Sequence, residues 1–225
     1  MRITEIYKSI QGESSFTGLP CIFVRLTGCN LRCSWCDSEY TFTGGHAMSL
    51  DEVMAEVRAL APVKLVEITG GEPMLQEREV VPLMQQLISE GYTVLLETSG
   101  ERPLAAVPQA VHKIVDVKCP GSGEGGTFHL ENLGALTSRD EVKFVIADRV
   151  DYEFARDFTR QHSLDQRAGS VIFSPAFRKD ATGRDANNAL LDPRELVEWV
   201  LADGLSVRVG LQMHKFVWDA AQKSV

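Results

Sequence analysis

Features that mark several common classes of protein are scarce in this sequence of 225 residues. Basic residues are few: 23 Lys and Arg against 31 Asp and Glu give a net charge of −8. This charge argues against a nucleic-acid surface, because phosphate backbones are bound by clustered Lys and Arg. No apolar run approaches the roughly 18 residues of a membrane span, and the start of the chain carries no apolar signal-peptide core. We therefore expect a cytoplasmic protein that binds neither nucleic acid nor a membrane.

Cysteine is also scarce, and its five copies are unevenly placed. Cys29, Cys33 and Cys36 follow the spacing C-x3-C-x2-C, whereas Cys21 and Cys119 stand apart. An odd number with three crowded together is a poor disulfide framework and fits a reducing compartment. Cys21 lies in an apolar run and Cys119 precedes a proline, so both are interpreted as small buried residues. The crowded three predict a metal site.

The lack of a fourth nearby cysteine narrows the choice of metal. Structural zinc needs a closed tetrahedral set, usually completed by a second cysteine pair or by paired histidines. The sequence has no second C-x2-C, and its five histidines form no H-x3-5-H pair. An iron–sulfur cube usually takes four cysteines, so three would leave one iron open to another ligand. The spacing favours a reactive cluster, and a non-catalytic zinc or iron–sulfur module remains the alternative.

Short apolar segments rich in β-branched residues recur along the chain and predict strands. Their weak alternation is typical of parallel strands buried on both faces. The segments are residues 21–27, 64–69, 93–99, 113–118, 141–146, 170–174 and 206–212.

Helical patterns with clear start and stop signals lie between these segments. Ser49 and Glu52 form a capping box at one start, and Gly91 suits the end of the next helix. A further pattern covers 150–162, and the last begins at Asp192-Pro193 and ends at Gly204. Alternating strands and helices predict one α/β domain over residues 1–225, with a parallel sheet or partial barrel.

Polar and glycine-rich residues follow the predicted strands at their carboxyl ends. The cysteine loop follows the first strand and "TGGEP" (69–73) the second, where Gly70 and Gly71 let the backbone approach a ligand closely. The carboxyl ends of parallel strands form the active site of α/β barrels. The other segments are "ETSG" (97–100), Asp116 with Lys118, "SPAF" (174–177) and "QMHK" (212–215).

These motifs resemble a known family. C-x3-C-x2-C with Trp35 before the last cysteine, followed by GGEP, is similar to radical S-adenosylmethionine (SAM) enzymes. The resemblance extends to the 7-carboxy-7-deazaguanine synthases of queuosine biosynthesis and implies a partial (βα)6-type radical SAM barrel. Ser14 departs from the Gly that the family commonly has there. The matching stretches are "SIQGES" (9–14), "FVRLTGCNLRCSWCDS" (23–38), "ITGGEP" (68–73), "ETSG", "VDVKCPGSG" (115–123) and "LQMHKF" (211–216).

The resemblance implies a lyase reaction and its cofactors. Three thiolates would hold a [4Fe–4S] cluster, and its open iron would bind SAM and yield a 5′-deoxyadenosyl radical on reduction by an external donor such as flavodoxin or ferredoxin. In the family, the radical removes hydrogen from C6 of 6-carboxy-5,6,7,8-tetrahydropterin. The ring contracts, ammonia leaves and 7-carboxy-7-deazaguanine remains. A homodimer is also implied.

The resemblance assigns a set of residues to the pterin substrate. A glutamine and a glutamate complement its amide-like edge, and a guanidinium suits its carboxylate. Taken without the family, Gln11 and Glu13 indicate a solvated turn, Arg25 a salt bridge and His214 a satisfied strand-end histidine. The implied substrate-binding residues are Ile10, Gln11, Gly12, Glu13, Arg25, Thr69 and His214.

A second set is implied for SAM and for magnesium. Ser38 would ligate Mg²⁺, because hard oxygen donors suit this ion, and a plain turn is the alternative. Trp35 could instead be a core aromatic residue, Lys118 a surface cation and Ser99 a strand-end hydroxyl. The SAM residues are Trp35, Cys36 and Asp37 near adenine, Gly71 and Glu72 at the amino group, and Ser99, Asp116, Val117, Lys118, Ser174, Pro175, Ala176 and Phe177 around ribose and carboxylate.

Two other enzyme functions share these cysteines. A glycyl-radical-activating enzyme would remove hydrogen from a protein backbone, and a relative with the same chemistry could act on another heterocycle. "SIQGES", Arg25 and "LQMHKF" favour the pterin substrate.

Overall fold

A sheet of nine strands forms the centre of the domain in the computed structural model, which describes residues 1–179, 189–219 and 222. Its order is β3-β1-β2-β4-β5-β6-β7-β8-β9. None of the helices in these residues is long and apolar enough to cross a membrane. The strands are β1 (Arg2–Ile10), β2 (Pro20–Leu26), β3 (His46–Ala47), β4 (Leu65–Gly70), β5 (Thr93–Thr98), β6 (His112–Asp116), β7 (Glu141–Ile146), β8 (Ser170–Pro175) and β9 (Arg208–Val209).

The strands from β2 onward, apart from β3, run parallel, as the sequence predicts for a partial radical SAM barrel. Two differences are corrections. The strand expected over 206–212 covers only Arg208–Val209, and the antiparallel strands β1 and β3 were not predicted. β1 mixes polar and apolar residues and is mostly half-exposed, so it lacks the continuous apolar run that marks the buried strands.

The predicted helix signals are confirmed. Ser49 and Glu52 form the capping box of α1, and Asp192 caps α5 with Pro193 in its first turn. Gly91 and Gly204 follow helix ends with positive φ angles of 77° and 58°. The helices are α1 (Leu50–Ala59), α2 (Glu77–Ser89), α3 (Arg149–His162), α4 (Leu164–Arg167), α5 (Pro193–Asp203) and α6 (His214–Val217).

The barrel interior is layered. Cys21, Leu65, Leu95 and Ile114 belong to a buried apolar cluster, with Phe16 packed against it. Since side chains alternate along a strand, the residues two positions further on share this inner face. On β2 this next residue is Phe23, but on the following three strands it is polar, and all four residues line a cavity: the polar ones are Glu67 on β4, Glu97 on β5 and Asp116 on β6.

The segment between β1 and β2 closes the amino ends of the parallel strands. Ser15 hydrogen-bonds Glu141 at the start of β7, and Glu141 contacts His112 Nε2 at 2.8 Å at the start of β6. The ring of Phe16 packs edge-on against His112. Residues 11–13 of this segment nevertheless line the cavity, so the segment forms its floor.

Candidate active site

One cavity of about 550 Å³ lies at the carboxyl ends of the parallel strands. It brings together the cysteine loop, the Gly70-Gly71 turn and the segment 10–13. The seven residues predicted to bind substrate all line this cavity, as do Cys29, Cys33, Trp35, Cys36, Asp37, Ser38, Gly71, Ser99, Asp116, Lys118 and Phe177.

The three clustered cysteines are free, half-buried and close enough to influence one another electrostatically. Burial raises the pKa of Cys33 to about 11, against the opposing effect of Lys118, and also raises the pKa of Cys29. In the described part of the chain, no three His, Cys, Asp or Glu side chains converge on a point that suits a single metal ion. A cube binds each thiolate through a separate iron, so the loop fits a cluster better than one ion.

The two glycines of the GGEP turn bring it against the cysteine loop. A Cβ added to Gly71 would overlap the carbonyl group of Gly28, and one added to Gly70 would overlap the backbone of Leu26. The backbone N–H of Glu72 donates to the Gly28 carbonyl at 2.8 Å. The turn therefore fixes the start of the cysteine loop.

The side chain of Glu72, a residue that the resemblance assigns to SAM, is bonded within the protein. It is 1% exposed, does not line the cavity and accepts four hydrogen bonds from the protein. Oε1 accepts from Met74 N and Thr98 Oγ1, and Oε2 accepts from Ser99 N and Ser99 Oγ. Glu72 thus holds Ser99 in place, and any ligand contact at this position is left to the backbone.

Asp116 presents a buried acceptor that suits a ligand hydroxyl. Its Oδ1 has no hydrogen-bond partner among the described residues, whereas Oδ2 accepts from Lys118 Nζ at 2.7 Å. Val117 points away from the cavity into the apolar cluster under α3 and α5, because neighbouring strand residues face opposite sides. Val117, which the resemblance assigns to SAM, therefore has its side chain outside the cavity. Three other predicted residues, Ser174, Pro175 and Ala176, are buried and lie outside the cavity wall.

Gln11 and Glu13 form the cavity floor and differ in what they offer a ligand. Gln11 is 2% exposed; its Nε2 donates to Glu67 at 3.0 Å, and its Oε1 accepts from the backbone of Glu13 and Ser14. Glu13 Oε2 lies 2.9 Å from Lys143 Nζ. Burial alone would raise the Glu13 pKa, but the charges of Lys143 and His214 outweigh it and lower this pKa. Glu13 is therefore an ionised acceptor.

Arg25 and His214 face the cavity from different elements. Arg25 Nε donates to Glu5 Oε1 at 2.9 Å and Nη2 to Tyr7 OH at 2.8 Å, so β1 orients the guanidinium. His214 begins α6 and does not end a strand, which corrects its expected placement. Its Nδ1 lies 3.5 Å from Glu13 Oε1.

Several cavity residues escaped the sequence analysis. Lys143 is 2% exposed and contacts Glu13, Glu97 and Asp116, and Lys215 Nζ lies 2.9 Å from Asp37 Oδ2. The available signal was a charged residue inside an apolar strand, since such a residue is rarely buried without partners. The lining residues to which the sequence analysis assigned no role include Tyr7, Tyr40, Glu67, Glu97, Lys143 and Lys215.

The sequence of the chain is similar to those of known proteins. The Radical SAM superfamily matches residues 23–121. The chain is 70% identical to a 7-carboxy-7-deazaguanine synthase of Koribacter versatilis (strain Ellin345), over the whole length of both chains. The chain belongs to the 7-carboxy-7-deazaguanine synthase family.

Further members of the family extend the match. The enzyme of that name from Chlorobaculum tepidum is 41% identical over all of this chain and 97% of its own length. The crystal structure of QueE from Escherichia coli has a TM-score of 0.73 and 24% identity, and the match covers 94% of this chain and 93% of that one. Because the identity to the Escherichia coli protein is only 24%, this structural similarity supports the fold alone. As a member of the family, the chain is a radical SAM enzyme that uses a [4Fe–4S] cluster and SAM.

Proposed function

We propose that the protein converts 6-carboxy-5,6,7,8-tetrahydropterin to 7-carboxy-7-deazaguanine and ammonia. The observation that carries the proposal is that one cavity joins the three cysteines to all seven residues implied for this substrate. Cys29, Cys33 and Cys36 would hold the cluster. When bound, the cluster and SAM supply the radical that removes a hydrogen atom from the substrate.

Arg25 would bind the substrate carboxylate. Two of the five N–H donors of a guanidinium are used for Glu5 and Tyr7, and the remaining donors can form a fork with a carboxylate. Glu13, ionised beside Lys143, would accept N–H groups of the pterin edge, with His214 next to it. Both the amide nitrogen and the amide oxygen of Gln11 are hydrogen-bonded within the protein. Gln11 would therefore contact the substrate through its backbone, while its side chain holds Glu67 in position.

Two further sites complete the proposal. Asp116 Oδ1 would accept from a ribose hydroxyl of SAM, which would satisfy this buried oxygen. Ser38 would bind Mg²⁺ together with the substrate and water; its Oγ lies 3.7 Å from Cys36 Sγ, at the cavity wall.

The cellular setting is also part of the proposal. The cluster would be reduced by an external donor such as flavodoxin or ferredoxin, and the enzyme would be a cytoplasmic homodimer with one catalytic domain over residues 1–225. The nine-stranded sheet, which joins the first and last strands of the described chain, supports the single domain.

The test is anaerobic incubation of the reconstituted protein with SAM, a reductant and the carboxy-tetrahydropterin. We expect 7-carboxy-7-deazaguanine and ammonia in equal amounts. Cys33→Ala is the control and should form neither. SAM cleavage without deazapurine would contradict the proposed substrate, and a glycyl radical formed on an added protein would favour the rival function.

A further inference from the structure

Two glutamates inside the barrel form a pair that the roles above leave unused. Glu67 on β4 lies beside Leu95 in the strand register, so Glu97, two residues further along β5, is its diagonal neighbour on the same face. Both residues line the cavity. Glu67 is 1% exposed, whereas the Glu97 side chain is 22% exposed and reaches the cavity space. We call Glu67 and Glu97 the carboxyl pair.

Glu67 carries the proton of the carboxyl pair. It is 1% exposed and lies diagonally across from a second carboxyl group on the same face of the sheet, and both burial and a neighbouring carboxylate disfavour a charged carboxyl. Gln11 Nε2 donates to Glu67 Oε2 at 3.0 Å and so occupies that oxygen. Burial, and then the charge of Glu97, raise the pKa of Glu67 well above its ordinary range. Glu67 is therefore the partner that holds the proton, and Glu97 is the partner that contacts the Lys143 ammonium group.

The charged groups around the pair differ between its two members. Lys143 on β7 contacts Glu97, whereas the negative charge of Glu13 on the floor disfavours ionisation of Glu67 and the hydrogen bond from Gln11 opposes this effect. Below the pair, Cys21 and Leu95 belong to the apolar layer of the barrel. The proton on Glu67 is thus held in the barrel interior, and it can pass to a ligand in the cavity through the more exposed Glu97.

The proposed reaction needs such a pair, and this inference rests on the proposed function. Substrate and products differ by no net oxidation, since the carboxy-tetrahydropterin is converted to the deazapurine and one ammonia. Once the ring has contracted, a carbon must lose a proton and the departing nitrogen must gain one. A base and an acid that exchange protons with each other can serve both needs.

We propose that the carboxyl pair is the acid and base that releases ammonia. Glu97 takes the proton as the C–H bond breaks, and its electrons form the ring double bond. The C–N bond breaks with its electron pair going to nitrogen, which receives the proton that the pair already held. One proton enters and one leaves, so the enzyme ends as it began. Glu97 faces the substrate, and Glu67 acts through Glu97 as the proton store.

The test uses Glu67→Gln in the full-length enzyme with cluster and SAM. Glutamine is the neutral isostere of a protonated glutamate: it can donate to Glu97 and accept from Gln11, but it cannot pass its proton on. We expect normal cluster content and normal 5′-deoxyadenosine formation, with deazapurine and ammonia reduced about 100-fold, the usual scale of acid–base catalysis. Glu141→Gln, a buried carboxyl at the closed end of the barrel, is the matched control and should keep the wild-type ratio of 5′-deoxyadenosine to deazapurine.

A second measurement does not depend on activity. Infrared difference spectra of the cluster-free protein near neutral pH should contain a protonated-carboxyl band that shifts in D₂O and is lost in Glu67→Gln. An unchanged band, or a wild-type product ratio in this variant, would overturn the proposal. Failure of the wild-type enzyme to form deazapurine would instead refute the proposed function, while the infrared band would still decide whether the pair holds a proton.

Discussion

Ser99 donates both its backbone N–H and its hydroxyl to one carboxylate oxygen of Glu72, at 2.8 and 2.7 Å. Glu72 follows β4 and Ser99 follows β5, so these two bonds join neighbouring loops at the mouth of the cavity. The other oxygen accepts from Thr98 and Met74. A buried carboxylate that accepts four hydrogen bonds holds the two loops in a fixed relative position.

Glu72→Gln should therefore destabilise the cluster-free protein. The amide would place N–H donors against the donors of Ser99 or Thr98, leaving buried groups unsatisfied at a cost of about 2–3 kcal/mol in the free energy of unfolding. Urea denaturation measures this loss. Glu79→Gln, an exposed change on α2, should stay within about 0.5 kcal/mol of wild type. Equal stability of the two variants would contradict the role of Glu72 in holding the two loops together.

Replacing any of the clustered cysteines with alanine should abolish SAM cleavage. Two thiolates cannot retain a cube with a single open iron, so iron content after anaerobic reconstitution and the brown colour should fall with activity. Cys21→Ala and Cys119→Ala are the controls, because both thiols lie in apolar clusters away from the cavity. Full activity in Cys33→Ala would refute the cluster assignment.

Arg25→Lys should raise the KM for the pterin by about 10- to 150-fold. A point ammonium cannot reproduce the guanidinium fork, and a charged hydrogen bond is worth about 1.5–3 kcal/mol. Steady-state kinetics give this value, and SAM binding should be unchanged. Arg58→Lys makes the same substitution in an exposed pair with Glu90 and should leave KM unaltered. A wild-type KM in Arg25→Lys would exclude a contact with the substrate carboxylate.

Adding Mg²⁺ to chelated enzyme should increase turnover, and Ser38→Ala should blunt the response without loss of iron. A hydroxyl is a weak ligand, so the ion should bind well only when the substrate is present. Ser34→Ala, in the same loop, is the matched control and should respond as wild type does. Equal rates in chelator and in Mg²⁺ would exclude the site.

The pKa of Glu67 predicts how stability changes with pH. The folded-state pKa lies above the ordinary value of 4.5, so the folded protein binds this proton more tightly than the unfolded chain. The resulting stabilisation is complete below about pH 4.5 and is lost as the pH rises toward the folded pKa. Urea unfolding over this range should show wild type losing stability relative to Glu67→Gln as pH increases. A constant difference would show that folding does not raise the Glu67 pKa.

The cluster loop and the parallel sheet could be predicted because their signals are local. Cysteine spacing, capping residues and apolar runs each need only a few adjacent positions, and those for α1 and α5 were confirmed. The orientation of Glu72 and the partners of Lys143 could not be predicted in the same way. They depend on strand register and on which face of a strand points inward, and these are fixed only when the whole sheet forms.

The cavity is lined from two parts of the chain, one inside the superfamily match and one outside it. The superfamily match covers residues 23–121, which include the cysteine loop and the GGEP turn. Residues 10–13, from the segment that enters the barrel from below, lie before that span, and His214 lies after it. The residues that would hold the cluster and several of those that would bind the substrate therefore come from separate stretches of the chain and meet in one cavity. An engineer could exchange the floor segment to seek new substrates while leaving the radical chemistry untouched.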